Sequence, residues 1–198
     1  MPAPTRRTQQ QRTQATTAAL IAAARELFAK DGYEATSLDA VASAARLTKG
    51  AVYHHFESKR ELFAAVFQAE ADHLAEIVSE AYTRKRDPWK GFEAGCIAYL
   101  EACLEPGLQQ IMLLDAEPAV GWDRMRELES GLLLMMETGI ARAIEAKRIG
   151  RRDPGPLAQL LFGTLCEAAM VVARAADQPA TQRAIVNEFR RLLASLEL

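Results

Sequence analysis

The chain has 198 residues, of which 49% are hydrophobic and 25% charged, as is ordinary for a soluble globular protein with one or two domains and a buried core. Its 24 basic and 26 acidic residues nearly balance. No apolar run approaches the roughly 20 residues of a membrane span, which argues against a membrane protein.

The near-neutral total hides an uneven distribution of charge. Residues 1–60 carry nine Lys and Arg against five Asp and Glu, whereas the remainder carries fifteen against twenty-one. A basic head on an acidic body fits nucleic-acid contact at one end, because neutralising phosphates supplies most non-specific affinity. Chance is the alternative explanation of this asymmetry.

The first residues, MPAPTRRTQQQRTQ, contain arginines but no apolar stretch after them, so they do not form a secretory signal peptide. We therefore expect a cytoplasmic protein. Residues 1–12 offer no apolar face and are predicted to be a flexible basic arm. Such an arm either follows phosphates or a minor groove, or is a solvated tail.

Three helices are predicted in residues 13–60. The first runs from about Thr13 to Lys30, with Gly32 as its stop. Ser37 begins the second, in which apolar residues recur with helical spacing, and Thr48 is placed to cap the third. Only Arg46 and Leu47 separate these two short helices, an arrangement typical of a helix-turn-helix.

The third helix has two different faces. Val52 and Phe56 stand four residues apart and form its apolar underside. The opposite face carries one cation, small residues that allow close approach, and two rings that can hydrogen-bond. This face suits a nucleic-acid groove, although solvation alone is the usual role of a single lysine such as Lys49.

The segment from Leu20 to Val66 resembles the DNA-binding domain of the TetR family of transcriptional repressors. It has an Ala-rich helix ending in ELFA, a Gly-Tyr pair, a Thr-Ser helix start, the run TKGAVYHHF and a Ser-Lys start to the next helix. One departure is Arg46, where the family usually has Gly. A left-handed backbone there would cost a non-glycine residue roughly 1–2 kcal/mol, unless a phosphate contact compensates.

The face of the third helix and the resemblance together predict a DNA interface. For Thr36 and Ser37, plain helix capping is an equal alternative to phosphate contact. Lys59 lies where a cation opposes the helix dipole, which suggests an external anion. The predicted DNA-binding residues are Thr36, Ser37, Arg46, Thr48, Lys49, Gly50, Ala51, Tyr53, His54 and Lys59.

The rest of the chain is predicted to be helical, which makes the fold all-α with about nine helices. A connecting helix occupies residues 61–81, and the charged run TRKRDPWKG that follows it marks a domain junction. Residues 82–198 then form a larger ligand-binding and dimerisation domain.

The two C-terminal segments are apolar over more than one stripe, so they must bury two faces. A homodimer satisfies this requirement, because two-fold symmetry lets two recognition helices read a palindrome. The resemblance implies that these helices form a four-helix bundle with their mates; a monomer with a thick core is the alternative. The predicted interface residues are Leu161, Leu165, Ala168, Val172, Ile185, Phe189 and Leu192.

The resemblance also implies a small-molecule effector bound in the body. Aromatic and polarisable side chains there could line a cavity, although core packing is the alternative for each of them. The predicted ligand-binding residues are Trp89, Cys96, Tyr99, Met112, Trp122, Met125, Phe162, Cys166 and Met170. The cysteine spacing indicates no zinc site or disulfide framework, and we expect no metal and no cofactor.

No catalytic motif, phosphate-binding loop or dinucleotide fingerprint is present, so an enzyme is not expected. The sequence predicts a homodimeric DNA-binding regulator, a repressor that binds a palindromic double-stranded operator and that a small molecule releases. The alternative is a helical dimeric module for ligand sensing or protein interaction, without sequence-specific DNA binding. That alternative leaves the basic face of the third helix without a purpose.

Overall fold

The computed structural model describes residues 9–198, and they form an all-α fold, as predicted. Within this range the only β-type pairing is an isolated antiparallel bridge between Ile149 and Glu197. The elements are α1 (Gln9–Ala35), α2 (Leu38–Ala44), α3 (Lys49–His55), α4 (Lys59–Thr83), α5 (Pro88–Ala102), α6 (Pro106–Leu108), a π-helical segment (Gln109–Leu114), α7 (Ala116–Val120), α8 (Trp122–Leu128), α9 (Ser130–Glu145), α10 (Pro154–Ala173) and α11 (Gln178–Ala194).

The first helix starts earlier than predicted and breaks where predicted. It begins at Gln9, so residues 9–12 of the predicted arm are helical, whereas residues 1–8 lie outside the described part of the chain. Gly32 adopts φ 80° and ψ 167°, a conformation that is strained for any residue with a Cβ atom. The chain therefore turns at Gly32 and is directed toward α2.

The helix-turn-helix packs on α1 and α4 through a continuous apolar core. Val41 and Val52 are fully buried, and Phe56 is nearly so, which confirms the predicted underside of α3. A cluster of three rings holds α1 against α4. Phe63 lies edge-on to Phe28 and to Tyr33, with ring centroids 5.2 and 5.1 Å apart.

Helix α4 connects the head (residues 13–60) to the body (residues 82–198), and α5 packs closely along it. A Cβ atom built on Gly91 would lie 2.9 Å from the carbonyl oxygen of Tyr82, so only glycine permits this approach. One hydrophobic cluster extends from Leu20 to Leu193 through both parts of the chain. The domain boundaries thus stay a prediction, since the core does not divide at residue 81.

Polar contacts also join head and body. Asp115 Oδ2 accepts a hydrogen bond of 2.7 Å from the backbone N–H of Tyr33, beside the break at Gly32. Arg25 donates from Nε to the buried Glu70 at 2.7 Å and forms an ion pair with Glu105 at 3.3 Å. These contacts fix the orientation of α1 relative to the segment between α5 and α7.

The middle of the chain is more divided than predicted. Residues 117–122 were expected to be a break, but α7 forms there, because Pro118 lies in its first turn, where backbone N–H groups need no helical partner. Gly121, with φ 80°, then separates α7 from α8, and Glu129 separates α8 from α9. Residues 9–198 consequently contain eleven α-helices and one π-helical segment, rather than about nine helices.

We expected no apolar segment as long as a membrane span, but one helix has that length. Helix α10 is long and apolar enough by composition, with a mean hydropathy of 1.6 over its best window of 18 residues. Core helices of globular proteins pass the same test. The side chains of Leu161, Phe162 and Leu165 on α10 lie in the core of the body.

Candidate nucleic-acid interface and ligand cavity

Helices α2 and α3 begin with the side-chain caps that the sequence predicts. Ser37 Oγ accepts a hydrogen bond of 3.1 Å from the N–H of Ala40, and Thr48 Oγ1 accepts one of 3.2 Å from the N–H of Ala51. Each cap satisfies a backbone donor that the first helical turn leaves unpaired. Both hydroxyls therefore have a structural role that does not depend on DNA.

The solvent-facing side of α3 is open. Lys49, Gly50 and His54 are exposed, the Tyr53 side chain is 49% exposed, and Ala51 is half-buried. His55 is turned inward instead, and its Nδ1 lies 3.0 Å from Thr17 Oγ1. The face is thus available to a nucleic acid, and contact of its residues with DNA stays a prediction.

Lys49 is held across the helix-turn-helix by an ion pair. Its Nζ lies 2.9 Å from the carboxylate of Asp39 on α2, and both side chains are largely exposed. The hydrogen bond and the charge of Asp39 raise the pKa of Lys49, so the ammonium stays charged. A DNA phosphate would compete with Asp39 for this cation.

Two predicted phosphate contacts are used inside the protein. Thr36 is 4% exposed, and its hydroxyl donates to the carbonyl of Gly32 at 2.8 Å. Lys59 Nζ donates to the carbonyl oxygens of Tyr33 at 2.9 Å and Glu34 at 3.3 Å, and lies 4.2 Å from the Tyr33 ring centroid. We expected an external anion beside Lys59. The carbonyl oxygens at the end of α1 take that place instead.

Arg46 adopts the left-handed conformation expected of a glycine, with φ 56°. The N–H of Leu47 bonds to the carbonyl of Ala42 at 2.9 Å, and that of Arg46 to Ser43 at 3.1 Å. These two backbone hydrogen bonds form the pattern that ends many helices, with the left-handed residue just past the helix end. Arg46 ends α2 in this way and holds the turn at a cost in backbone strain.

Replacing Arg46 by Gly is therefore expected to raise the free energy of unfolding by about 1 kcal/mol, because the strain of the left-handed backbone is relieved. Urea unfolding measures this change. Arg46→Ala is the matched control, since it removes the same charge and keeps a Cβ atom. A glycine variant no more stable than the alanine variant would show that the turn is not strained.

A cavity of about 350 Å³ lies in the body, between α4, α5, α9 and α10. Its volume falls within the range of small-molecule sites. The walls are chiefly apolar and aromatic. The lining residues are Val78, Ser79, Tyr82, Thr83, Phe92, Gly95, Cys96, Tyr99, Gly131, Leu132, Leu134, Met135, Met136, Thr138, Gly139, Arg142, Phe162 and Leu165.

Three of the nine predicted ligand-binding residues, Cys96, Tyr99 and Phe162, line this cavity. The other six do not. Trp89 lies behind the wall and stacks on Phe92 at 5.1 Å, and Trp122 is 59% exposed on the surface. The remaining four are Met112, which is buried in the core, and Met125, Cys166 and Met170, which are half-buried and do not line the cavity, although Cys166 Sγ lies 3.8 Å from the hydroxyl of the lining residue Tyr99.

The three cysteines are unreactive thiols. Burial raises the pKa of Cys103 to about 12 and that of Cys166 to about 11, and it raises the pKa of Cys96 still further. A thiol is nucleophilic only as the thiolate, which is scarcely populated at neutral pH under these conditions. In residues 9–198, no group of three or more His, Cys, Asp or Glu side chains is placed to hold a metal ion.

A partly buried ion pair lies beside the cavity residue Phe162. Arg126 Nη1 donates to Glu129 Oε2 at 2.8 Å, and the guanidinium lies 5.1 Å from the ring centroid of Phe162, a cavity residue. Burial raises the pKa of Glu129, and the charge of Arg126 opposes that rise. This pair was not predicted from the sequence, because the spacing of Arg126 and Glu129 does not show that they lie beside a cavity.

Four of the predicted interface residues belong to the core of the protomer. Leu161, Leu165, Val172 and Phe189 are each at most 4% exposed, so they are not available to a partner. Ala168 and Ile185 are half-buried, and Leu192 is 42% exposed. Periodicity identified two apolar stripes on these helices, and the residues of the dimer interface stay a prediction.

The outward face of α10 carries a different apolar set. Leu160 is 70% exposed and Val171 is 44% exposed, and both lie on the same side of the helix. Gly163, between them, has open space at its Cβ position. This face, together with Leu192 on α11, is an exposed apolar surface.

Two family profiles match the chain. One, described as bacterial regulatory proteins of the tetR family, covers residues 20–66. The other, described as the tetracyclin repressor-like C-terminal domain, covers residues 89–196, more than half of the chain. The two matches correspond to the head with the start of α4, and to the body.

Individual proteins show the same similarity. The TetC protein of transposon Tn10 from Escherichia coli is 26% identical over 194 residues, 96% of each chain. The HTH-type transcriptional repressor AcnR of Corynebacterium glutamicum is 38% identical over 61 residues, 31% of this chain and 32% of that protein. A crystal structure of a TetR-family transcriptional regulator from Pectobacterium atrosepticum is 35% identical and superimposes with a TM-score of 0.85, covering 97% of this chain and 98% of that one.

Proposed function

The chain belongs to the TetR family of bacterial regulatory proteins, and on this premise we propose that it is a homodimeric repressor, which binds a palindromic operator and which a small molecule releases. Membership makes it a DNA-binding transcriptional regulator. Proteins of this family are typically not enzymes, and its DNA-binding regulators act in the cytoplasm, which is the location we propose for this chain.

The observation that carries the proposal is the exposed face of α3. A capped helix presents a cation, a glycine and two hydrogen-bonding rings to solvent, while its apolar underside is buried. This arrangement fits a recognition helix whose N-terminal residues reach base edges and phosphates in a major groove. We include Ser37, Arg46, Thr48, Ala51 and the exposed residues of α3 in this surface.

The outward apolar face of α10 supports the dimer. A symmetric pair would bury Leu160 and Val171 against the same residues of a second copy. Two recognition helices held at a fixed separation then meet successive major grooves. Release follows if the ligand binds more tightly to the arrangement of the two heads that does not fit the operator.

Repression is tested by placing a reporter gene behind a promoter that contains an operator. The operator is first obtained by selecting bound duplexes from a random library. We expect production of the protein to lower reporter transcription, and we expect the ligand to restore it. Higher transcription when the protein is produced without ligand would identify an activator and overturn the proposed sign.

Lys49→Ala is expected to weaken operator binding and to reduce the slope of log affinity against log salt by about 0.9 per protomer, and so by about 1.8 for the dimer, because one phosphate contact is lost in each half-site. Fluorescence anisotropy of labelled operator over a range of salt concentrations measures the slope. Lys85→Ala, an exposed lysine between α4 and α5, changes the net charge equally and should leave the slope unchanged.

A second variant tests the ion pair directly. Asp39→Asn frees Lys49 and removes a carboxylate from the DNA-facing surface, so operator affinity should rise severalfold.

Equal slopes for Lys49→Ala and the unaltered protein would exclude Lys49 from the phosphate contacts.

A further inference from the structure

The cavity in the body has a single charged lining residue, Arg142 on α9. The remaining walls are apolar or aromatic, apart from the hydroxyl groups of Ser79, Thr83, Thr138 and the two tyrosines. A cation in the wall of an apolar cavity selects for a ligand that carries a group it can bind, because a purely apolar ligand does not require it. The charge of Arg142 therefore indicates the chemistry of the occupant.

Arg142 forms no ion pair within residues 9–198. No carboxylate of residues 9–198 lies within 4.0 Å of its guanidinium, which is placed over the Tyr82 ring at 5.9 Å from the centroid. The planar guanidinium offers five N–H donors in a fork that matches a carboxylate. The aromatic ring orients this fork without using its hydrogen bonds.

Hydroxyl groups also line the cavity. Thr138 is one turn before Arg142 on α9, and Ser79 and Thr83 are one turn apart on α4. The threonine hydroxyls donate to their own helices, Thr138 to Leu134 at 2.8 Å and Thr83 to Glu80 at 3.1 Å. Ser79 makes no hydrogen bond to the described part of the chain, so its O–H is free to donate to a ligand.

Acidic residues occur nearby but outside the cavity. Asp72, Glu76 and Glu80 line an open groove that shares Ser79 and Thr83 with the cavity. Each has a partner: Asp72 accepts from Gln68 at 2.9 Å, Glu76 lies 3.9 Å from His73, and Glu80 lies 2.5 Å from Arg84. Only Glu80 is paired with a permanent cation, so the groove is acidic, whereas the charged residue that lines the cavity itself is Arg142.

We propose that the cavity binds an organic anion with an apolar body, whose carboxylate is held by Arg142 and Ser79 and whose body packs on Phe92, Met136 and Phe162. The volume is about twice the roughly 150 Å³ that holds a benzene molecule, which corresponds to a body of on the order of ten carbon atoms. This inference rests on the proposed function, since the anion is the ligand that releases the operator.

The two tryptophans provide a readout. Trp89 stacks on the cavity residue Phe92 with an interplanar angle of 4°, so its fluorescence reports on the occupied cavity. Trp122 is exposed on α8 and is replaced by Phe to leave Trp89 as the single reporter. Decanoate, decyltrimethylammonium and 1-decanol then serve as anionic, cationic and neutral probes of equal chain length.

We expect decanoate to bind about tenfold more tightly than 1-decanol, and decyltrimethylammonium to bind more weakly than either. Arg142→Met keeps the apolar stem of the side chain and should remove the tenfold advantage of decanoate while leaving 1-decanol within twofold. Arg142 is exposed, so the variant should fold normally. Arg86→Met, an exposed arginine before α5, controls for net charge and should change neither affinity.

Tighter binding of the cationic probe, unchanged decanoate affinity in Arg142→Met, or binding of none of the three probes would overturn the inference. Anisotropy of labelled operator in the same samples separates it from the proposed function. Arg142-dependent binding of decanoate without release of the operator would support the anion site and contradict ligand release. Release by an uncharged or cationic compound alone would support ligand release and overturn the anion site.

Discussion

Leu160→Glu is expected to convert the dimer to a monomer and to lower operator affinity by about two orders of magnitude or more. Leu160 is the most exposed leucine of α10, at 70%, on the face that Val171 extends. In a two-fold interface each substitution occurs twice, so two carboxylates would be buried without partners. Operator affinity falls because the second head no longer binds at high effective concentration.

Sedimentation or light scattering gives the oligomeric state, and anisotropy gives the operator affinity. Leu198→Glu is the matched control, because Leu198 is 81% exposed and lies outside α10 and α11. A Leu160→Glu protein that remains a dimer would place the interface on another surface. A monomer that retains full operator affinity would show that dimerisation does not support DNA binding.

Phe63→Ala is expected to lower the free energy of unfolding by about 3–5 kcal/mol. Phe63 is fully buried, and its ring packs edge-on against Phe28 at 5.2 Å and Tyr33 at 5.1 Å. The truncation leaves a cavity between α1 and α4, where Lys59 and Asp115 also hold the backbone of Tyr33. The position of the head on α4 should loosen, and operator affinity should fall with it.

Urea unfolding measures the change, and Phe63→Leu provides a graded comparison with a smaller loss, because it removes less apolar volume. A loss below about 1 kcal/mol for Phe63→Ala would mean that the surrounding structure collapses into the space. In that case, the ring cluster would not position the head.

The helix-turn-helix could be predicted from the sequence because its determinants are local. Ser37 and Thr48 cap the helices that immediately follow them, and Val52 and Phe56 identify the buried side of α3. The left-handed Arg46 could be anticipated as well, because the family that the segment resembles usually has Gly at this position.

Sites built from distant segments could not be predicted in the same way. Lys59 binds carbonyl groups more than twenty residues earlier in the chain, and no local pattern reveals such a partner. Arg142 reaches the cavity only because α9 packs beside α4 and α5. The residues next to Arg142 in the sequence do not distinguish it from an arginine on a solvated helix face.

The faces of α10 show a further limit of periodicity. Leu160 and Leu161 are adjacent in the sequence, yet Leu160 is 70% exposed and Leu161 is 4% exposed. Apolar residues on two sides of a helix indicate two buried faces, but the packing of the protomer decides which of them faces the core. The sequence predicted that two faces exist, but it did not distinguish the face that packs inside the protomer, where Leu161, Leu165 and Val172 are buried.

A symmetric dimer that recognises DNA by sequence should select a palindrome from a mixture of duplexes. Selection of bound duplexes from a random library, with the unaltered protein at near-physiological salt, tests it most directly. We predict enrichment of a palindrome whose half-sites are separated by about one helical turn or more. Enrichment of a single half-site would contradict the symmetric dimer, and weak, salt-sensitive binding with no enrichment would contradict specific recognition by α3.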